Sequence, residues 1–240
     1  MATIRIERTI VSGQPGWRKR VEDVGLRLRL QKGDPRQLFE AERQAYLSLQ
    51  GKHLPFPRLL DSRPGEFVLA DAGPSVKAII LREGAHSVPG QAAIVAAAEA
   101  LARLHRAGYS HGRPSLRDIC YQDGTITFID LEKYRPDHNN PSGHVWDLLI
   151  FFFDICIATG RLDETVLAAR DAYRAADSRG IWARAERKMR HLRPVWALLR
   201  PLTWRWLSHH RDFRAIAPLC ALFSRGVRPD SRLAPGGEFL

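Results

Sequence analysis

Two carboxylates, Asp118 and Asp130, stand on either side of a short stretch rich in β-formers, and Asp130 lies between Phe128-Ile129 and Leu131. Apolar flanks on both sides are what a strand-end carboxylate aimed into a cleft would show. His111 and Arg113 precede the pair, and Asp147 follows it in Trp146-Asp147-Leu148. Far upstream, Arg27, Arg29 and Lys32 come just before a segment carrying Glu42. Cations, an acid able to hold one of them, and spaced carboxylates are the parts that phosphoryl transfer from a nucleotide asks for. Such a site needs a positive charge on the phosphates, an acid to orient it, oxygen ligands for a metal, and a group that orients the acceptor hydroxyl.

The elements that must position these residues can be read from periodicity and turn signals. Ile4, Ile6 and Thr9 to Val11 read as a strand that ends in the turn signal Ser12-Gly13-Gln14-Pro15-Gly16. Val24 to Leu30 alternates, with Val24, Leu26, Leu28 and Leu30 on one face and Arg27 and Arg29 on the other. The spacing predicts a helix from Arg36 to Gln50, then short strands after Pro57 and over Glu66 to Ala70. Ala70 to Pro74 is a natural linker. Gln91 to Ala107 predicts a helix whose stripe is Ile94, Ala97, Ala98, Leu101 and Leu104. Ile119 to Asp130 predicts a hairpin with Asp123-Gly124 in its turn. From Gly143 onward the chain reads as helical, down to a loose Pro/Gly-rich tail at Arg228 to Leu240. Val145 to Ala158, too short and too charged for a membrane span, reads as a buried core helix.

The stretch Leu101 to Gly112, which enters the His111 loop, resembles the helix leading into the catalytic loop of kinase-like enzymes. In the pattern H-x-D-x-x-x-x-N, His111 takes the first place, Arg113 that of the catalytic Asp, and Asp118 that of the metal-binding Asn. Phe128-Ile129-Asp130-Leu131-Glu132 resembles the DFG metal loop, and Asp147 matches the buried Asp that ties down the loop backbone. Val24-Gly25-Leu26-Arg27 falls where kinases have V-A-I-K. The likeness covers roughly residues 1–160 and is closest to the atypical bacterial lipopolysaccharide kinases (the Kdo/WaaP and InaA-like group). It implies an α+β fold of two lobes: a β-rich N-lobe with one helix over 1–72, a helical C-lobe over 73–227, and the tail 228–240. It also implies ATP, Mg²⁺ and a sugar or glycolipid hydroxyl as acceptor. Asp130 and Asp118 would hold the metal, Arg27 or Lys32 the phosphates, and Glu42 that cation.

Arg113 is the departure, because a guanidinium stays charged and accepts no proton. Three readings follow from it: Asp118 serves as both ligand and base, or Arg113 stabilises the transferring phosphate charge, or the chain is a pseudokinase binding module. An atypical Ser/Thr kinase is a further alternative for the function. Glu42 has an ordinary reading too, as an exposed acid beside Arg43 on an amphipathic helix.

The chain carries a formal net charge of +11 over 240 residues. Eleven Lys/Arg against three acids fall between Arg174 and Arg214, so the basic character sits in the C-terminal third. The tryptophans here, Trp182 and Trp196 among them, read first as core packing, and Pro194 and Pro201 break the segment into short pieces that favour it. Arg/Trp-rich helices of this kind also suit an anionic membrane surface. A nucleic-acid partner ranks below that, since no nucleic-acid motif accompanies the charge. Three scattered cysteines and an N-terminus without an apolar stretch point to a cytoplasmic chain, at most peripheral on the inner face of the membrane.

Overall fold

The computed structural model describes residues 2–23, 35–192 and 211–224. Within them the protein is mixed α+β with a small antiparallel sheet. Strands β1 (Ala2–Val11) and β2 (Gln14–Asp23) form a hairpin, and β3 (Leu59–Arg63) and β4 (Glu66–Ala70) complete a sheet of order β1-β2-β4-β3. The hairpin turn is the two residues Ser12 and Gly13, at φ 49° and 79°. Positive φ at both positions lets the turn follow the strand twist. The predicted turn therefore shrinks, and Gln14 to Gly16 already belong to β2, where Gly16 pairs with Ala70 of β4.

Helix α1 (Pro35–Leu49) lies against this sheet, burying Phe39, Tyr46 and Leu49 with Phe67 and Leu69 of β4. Leu131, far along the chain, joins the same cluster. The predicted strand Val24–Leu30 and the tail 228–240 lie outside the described residues.

A second and larger core begins after residues 71–74. It holds α2 (Val76–Glu83), α3 (Val88–Arg106), the hairpin β5 (Ile119–Gln122) and β6 (Thr125–Phe128), α4 (Pro141–Thr159), α5 (Glu164–Ala176), α6 (residues 181–192) and α7 (Arg211–Leu222). The α3 stripe read from the sequence is fully buried. The helix starts three residues earlier than predicted, because Ser87 caps it by accepting from Gly90 N and Pro89 sits in the first turn. Helix α2 escapes the periodicity reading. Its eight residues are short, and what marks its start is Ser75, which accepts from Ala78 N.

α4 is apolar enough in composition to cross a membrane, with a mean hydropathy of 1.4, but half of that stretch is buried in the protein. Phe151, Phe152, Ile155 and Cys156 are all at 0% exposure, as a core helix requires.

Candidate functional site

Residues alternate along β2, so Lys19 and Trp17 share a face. Lys19 Nζ lies 2.7 Å from Glu42 Oε1 of α1. Glu42 is fully buried, and its second oxygen, Oε2, has no hydrogen-bond partner. Burial pushes its carboxyl up to about 7, with Lys19 opposing and Asp130 and Glu132 adding repulsion. The ordinary reading of Glu42 as an exposed acid is thus wrong: Arg43 turns instead to Glu40 and to Ser62 Oγ. Two residues before Lys19, Trp17 Nε1 donates to Asp71 Oδ1 at 3.2 Å, fastening β2 to the segment that leads out of the sheet.

The second group of residues comes from the loop between α3 and β5 and from the end of β6. Asp130 follows β6 with φ 64°, and its N–H donates to Tyr46 Oη of α1 at 3.1 Å. Left-handed backbone at a non-glycine residue is uncommon and is held here by its surroundings. Asp118, 5% exposed, has its backbone carbonyl bonded to Ile129 N, so the two carboxylates are held in step. Arg113 lies between them, with Nη2 at 3.9 Å from Asp118 Oδ2 and 3.8 Å from Asp130 Oδ2. Both separations exceed hydrogen-bond reach. Asp118 Oδ2 and Asp130 Oδ1 remain buried without a hydrogen-bond partner. The acids of Glu42, Asp130 and Glu132 approach within 4.8 Å of one another, which joins the Lys19 pair and the Asp118–Asp130 pair into one site.

α4 holds the loop from below. Asp147, 1% exposed, accepts from His111 N at 2.5 Å and Gly112 N at 2.9 Å. Seven residues on, Asp154 accepts from Ser115 Oγ and Leu116 N, both at 2.7 Å. Seven residues are two helical turns, so both carboxylates point at the same loop. His111 Nε2 contacts Ile129 O at 2.9 Å, while Nδ1 accepts from Arg113 N at 3.3 Å. That pairing assigns the neutral tautomer with the proton on Nε2, and burial lowers the ring's proton affinity further. With both nitrogens engaged, His111 is structural. Gly112 has φ 96°, and a Cβ there would stand 2.2 Å from Lys133 O. Beneath Asp147, His105 stacks on His144 at 4.6 Å and contacts Tyr173 Oη at 2.7 Å.

Of the residues singled out from the sequence, the fold brings Glu42, Arg113, Asp118, Asp130 and Glu132 together. Arg27 and Lys32 lie outside the described residues; among the described residues the cation on Glu42 is Lys19, which the sequence reading missed. Its signal was present: Trp17-Arg18-Lys19 follows the hairpin turn with the alternation of a strand. Asp154 was missed as well, though its spacing from Asp147 marks one helix face.

Burial and Asp130 push the Asp118 carboxyl up to about 6, against the pull of Arg117 and Arg113. In the folded chain Asp118 therefore keeps its proton to higher pH than in the unfolded one. The linked stability is present below the unfolded value near 3.8 and is lost as pH rises through about 6. Asp118→Asn is expected to raise the melting temperature in metal-free buffer, more at pH 8 than at pH 4. Equal shifts at the two pH values would refute this.

No family model matches the chain. It is similar to an uncharacterized protein of Haemophilus influenzae, 29% identical over 144 residues. That match covers 60% of this chain and 60% of the relative's length.

Proposed function

We propose that this protein is an ATP- and Mg²⁺-dependent phosphotransferase of the bilobal protein-kinase-like fold. The observation that carries the reading is the joint site. A buried Lys19–Glu42 pair at 2.7 Å lies beside two carboxylates that each keep one buried oxygen without a hydrogen-bond partner. A lysine oriented by a buried glutamate is suited to phosphate oxygens. Asp118 and Asp130 offer the hard oxygen donors that Mg²⁺ prefers, and their open oxygens fit such an ion. When bound, the ion would neutralise charge on the nucleotide phosphates. Arg113, 38% exposed, would add a second positive charge on the same side. Asp118, the carboxylate of the 113–118 loop, would also orient an acceptor hydroxyl. The acceptor class, a sugar hydroxyl of lipopolysaccharide core or a related envelope glycoconjugate, rests on the sequence resemblance alone.

The position of Arg113 favours a second reading, a nucleotide-binding pseudokinase. A guanidinium stands where a base would, close to both carboxylates.

A thermal-shift titration with ATP tests the site. A stabilisation that requires Mg²⁺ and disappears in Asp130→Asn is expected. A shift that is equal without Mg²⁺, or unchanged in Asp130→Asn, would overturn the metal assignment. A Mg²⁺-dependent shift without ADP formation against glycolipid extracts would favour the pseudokinase.

A further inference from the structure

On the outer side of the helical core, α4, α6 and α7 leave a groove of roughly 270 Å³ lined by Trp146, Ile150, Phe153, Leu192, Ile216 and Cys220. Its two rim residues are the exposed large hydrophobic side chains of α4 and α6: Trp146 at 50% and Leu192 at 42%. A large aromatic and a leucine left this open on helices that otherwise bury their apolar faces mark an interaction surface.

Among the described residues the exposed charge around the groove is basic. Lys188 Nζ stands 4.3 Å over the Trp146 ring. Arg184, Arg187, Arg190 and His191 are exposed on α6, and Arg214 on α7. The acid on α6, Glu186, is occupied by Trp182 Nε1 at 2.8 Å. On α4 both Asp147 and Asp154 face inward to the 111–116 loop. Along α6, Arg184, Lys188 and Leu192 follow at four-residue steps and so share one edge of the helix.

We infer that this face docks on an anionic lipid surface. Trp146 and Leu192 would enter the boundary between headgroups and acyl chains, and Arg184, Lys188, Arg190 and Arg214 would meet lipid phosphates. An apolar centre with Trp at its edge and cations around it matches the layering of a bilayer interface. A second copy of the chain would bring cation against cation. A nucleic acid would leave the apolar centre facing phosphates. The inference stands on this face alone and is independent of the phosphate site.

The test is co-sedimentation of the full chain with phosphatidylcholine vesicles, with and without phosphatidylglycerol. Binding only to the anionic vesicles is expected. Lys188→Ala should weaken it about five-fold, and Arg184→Ala, Lys188→Ala and Arg190→Ala together about a hundred-fold. Leu192→Glu, at an exposed position, should remove binding while leaving the circular-dichroism melt unchanged. Four results would overturn the inference: no sedimentation with anionic vesicles, binding unchanged in Leu192→Glu, loss of RNA binding rather than vesicle binding in the triple variant, or a changed oligomeric state in Leu192→Glu with vesicle binding intact.

Discussion

Asp147→Ala should cost about 3–5 kcal/mol of unfolding free energy, the largest effect of any single substitution at the site. Asp147 is 1% exposed and accepts from two backbone N–H groups, those of His111 and Gly112. Hydrogen bonds to a charged acceptor contribute about 1.5–3 kcal/mol each, and here both donors would be left buried. Asp147→Asn keeps the volume but turns one acceptor into a donor facing a donor. It should therefore recover little. Urea melts would show a lower midpoint at unchanged slope. A loss below about 1 kcal/mol in Asp147→Ala would mean that the loop finds other acceptors.

Lys19→Met should reduce ATP affinity about 30-fold or more, the loss of a charge-assisted contact to phosphate oxygens of about 2 kcal/mol. Its effect on stability depends on pH. Lys19 opposes the burial that holds Glu42 near 7, so without it Glu42 stays protonated to still higher pH. The variant should melt close to the wild type at pH 6, where Glu42 is largely neutral in both. It should be clearly less stable at pH 8.5, where wild-type Glu42 is ionised beside Lys19 and the variant must either hold the proton against the pH or bury an unpaired charge. Lys19→Met combined with Glu42→Gln should restore stability at high pH without restoring ATP affinity. A pH-independent deficit would place the damage in packing rather than in the charge pair.

The loop side of this site was legible in the sequence, because its signals are local. His111, Asp118 and Asp130 lie within twenty residues, the apolar neighbours of Asp130 mark a strand end, and Asp123-Gly124 marks the turn between them. The sheet side was not. Pro15 and Gly16 look like turn residues, yet they pair with Ile10 and Thr9 of β1, which moves the start of β2 forward and puts Lys19 in line with Glu42. That correction depends on register, which cross-strand pairing sets. The burial of Glu42 was equally hidden, since Arg43 beside it suggested a wet helix face. Trp182 fits the expectation of core packing, stacked on Phe223 at 4.5 Å, whereas Trp146 on α4 points outward. Helical spacing gives the faces of a helix but not which neighbour covers them.

The two carboxylates of α4 also bear on how a ligand would arrive. Asp147 and Asp154 fix the backbone or side chains of His111, Gly112, Ser115 and Leu116 from one rigid helix. This stretch is ordered when the helical core forms, so a ligand meeting it loses little conformational entropy on that side. Association at the loop should then be governed by encounter and charge rather than by a slow rearrangement, with on-rates that fall as ionic strength rises.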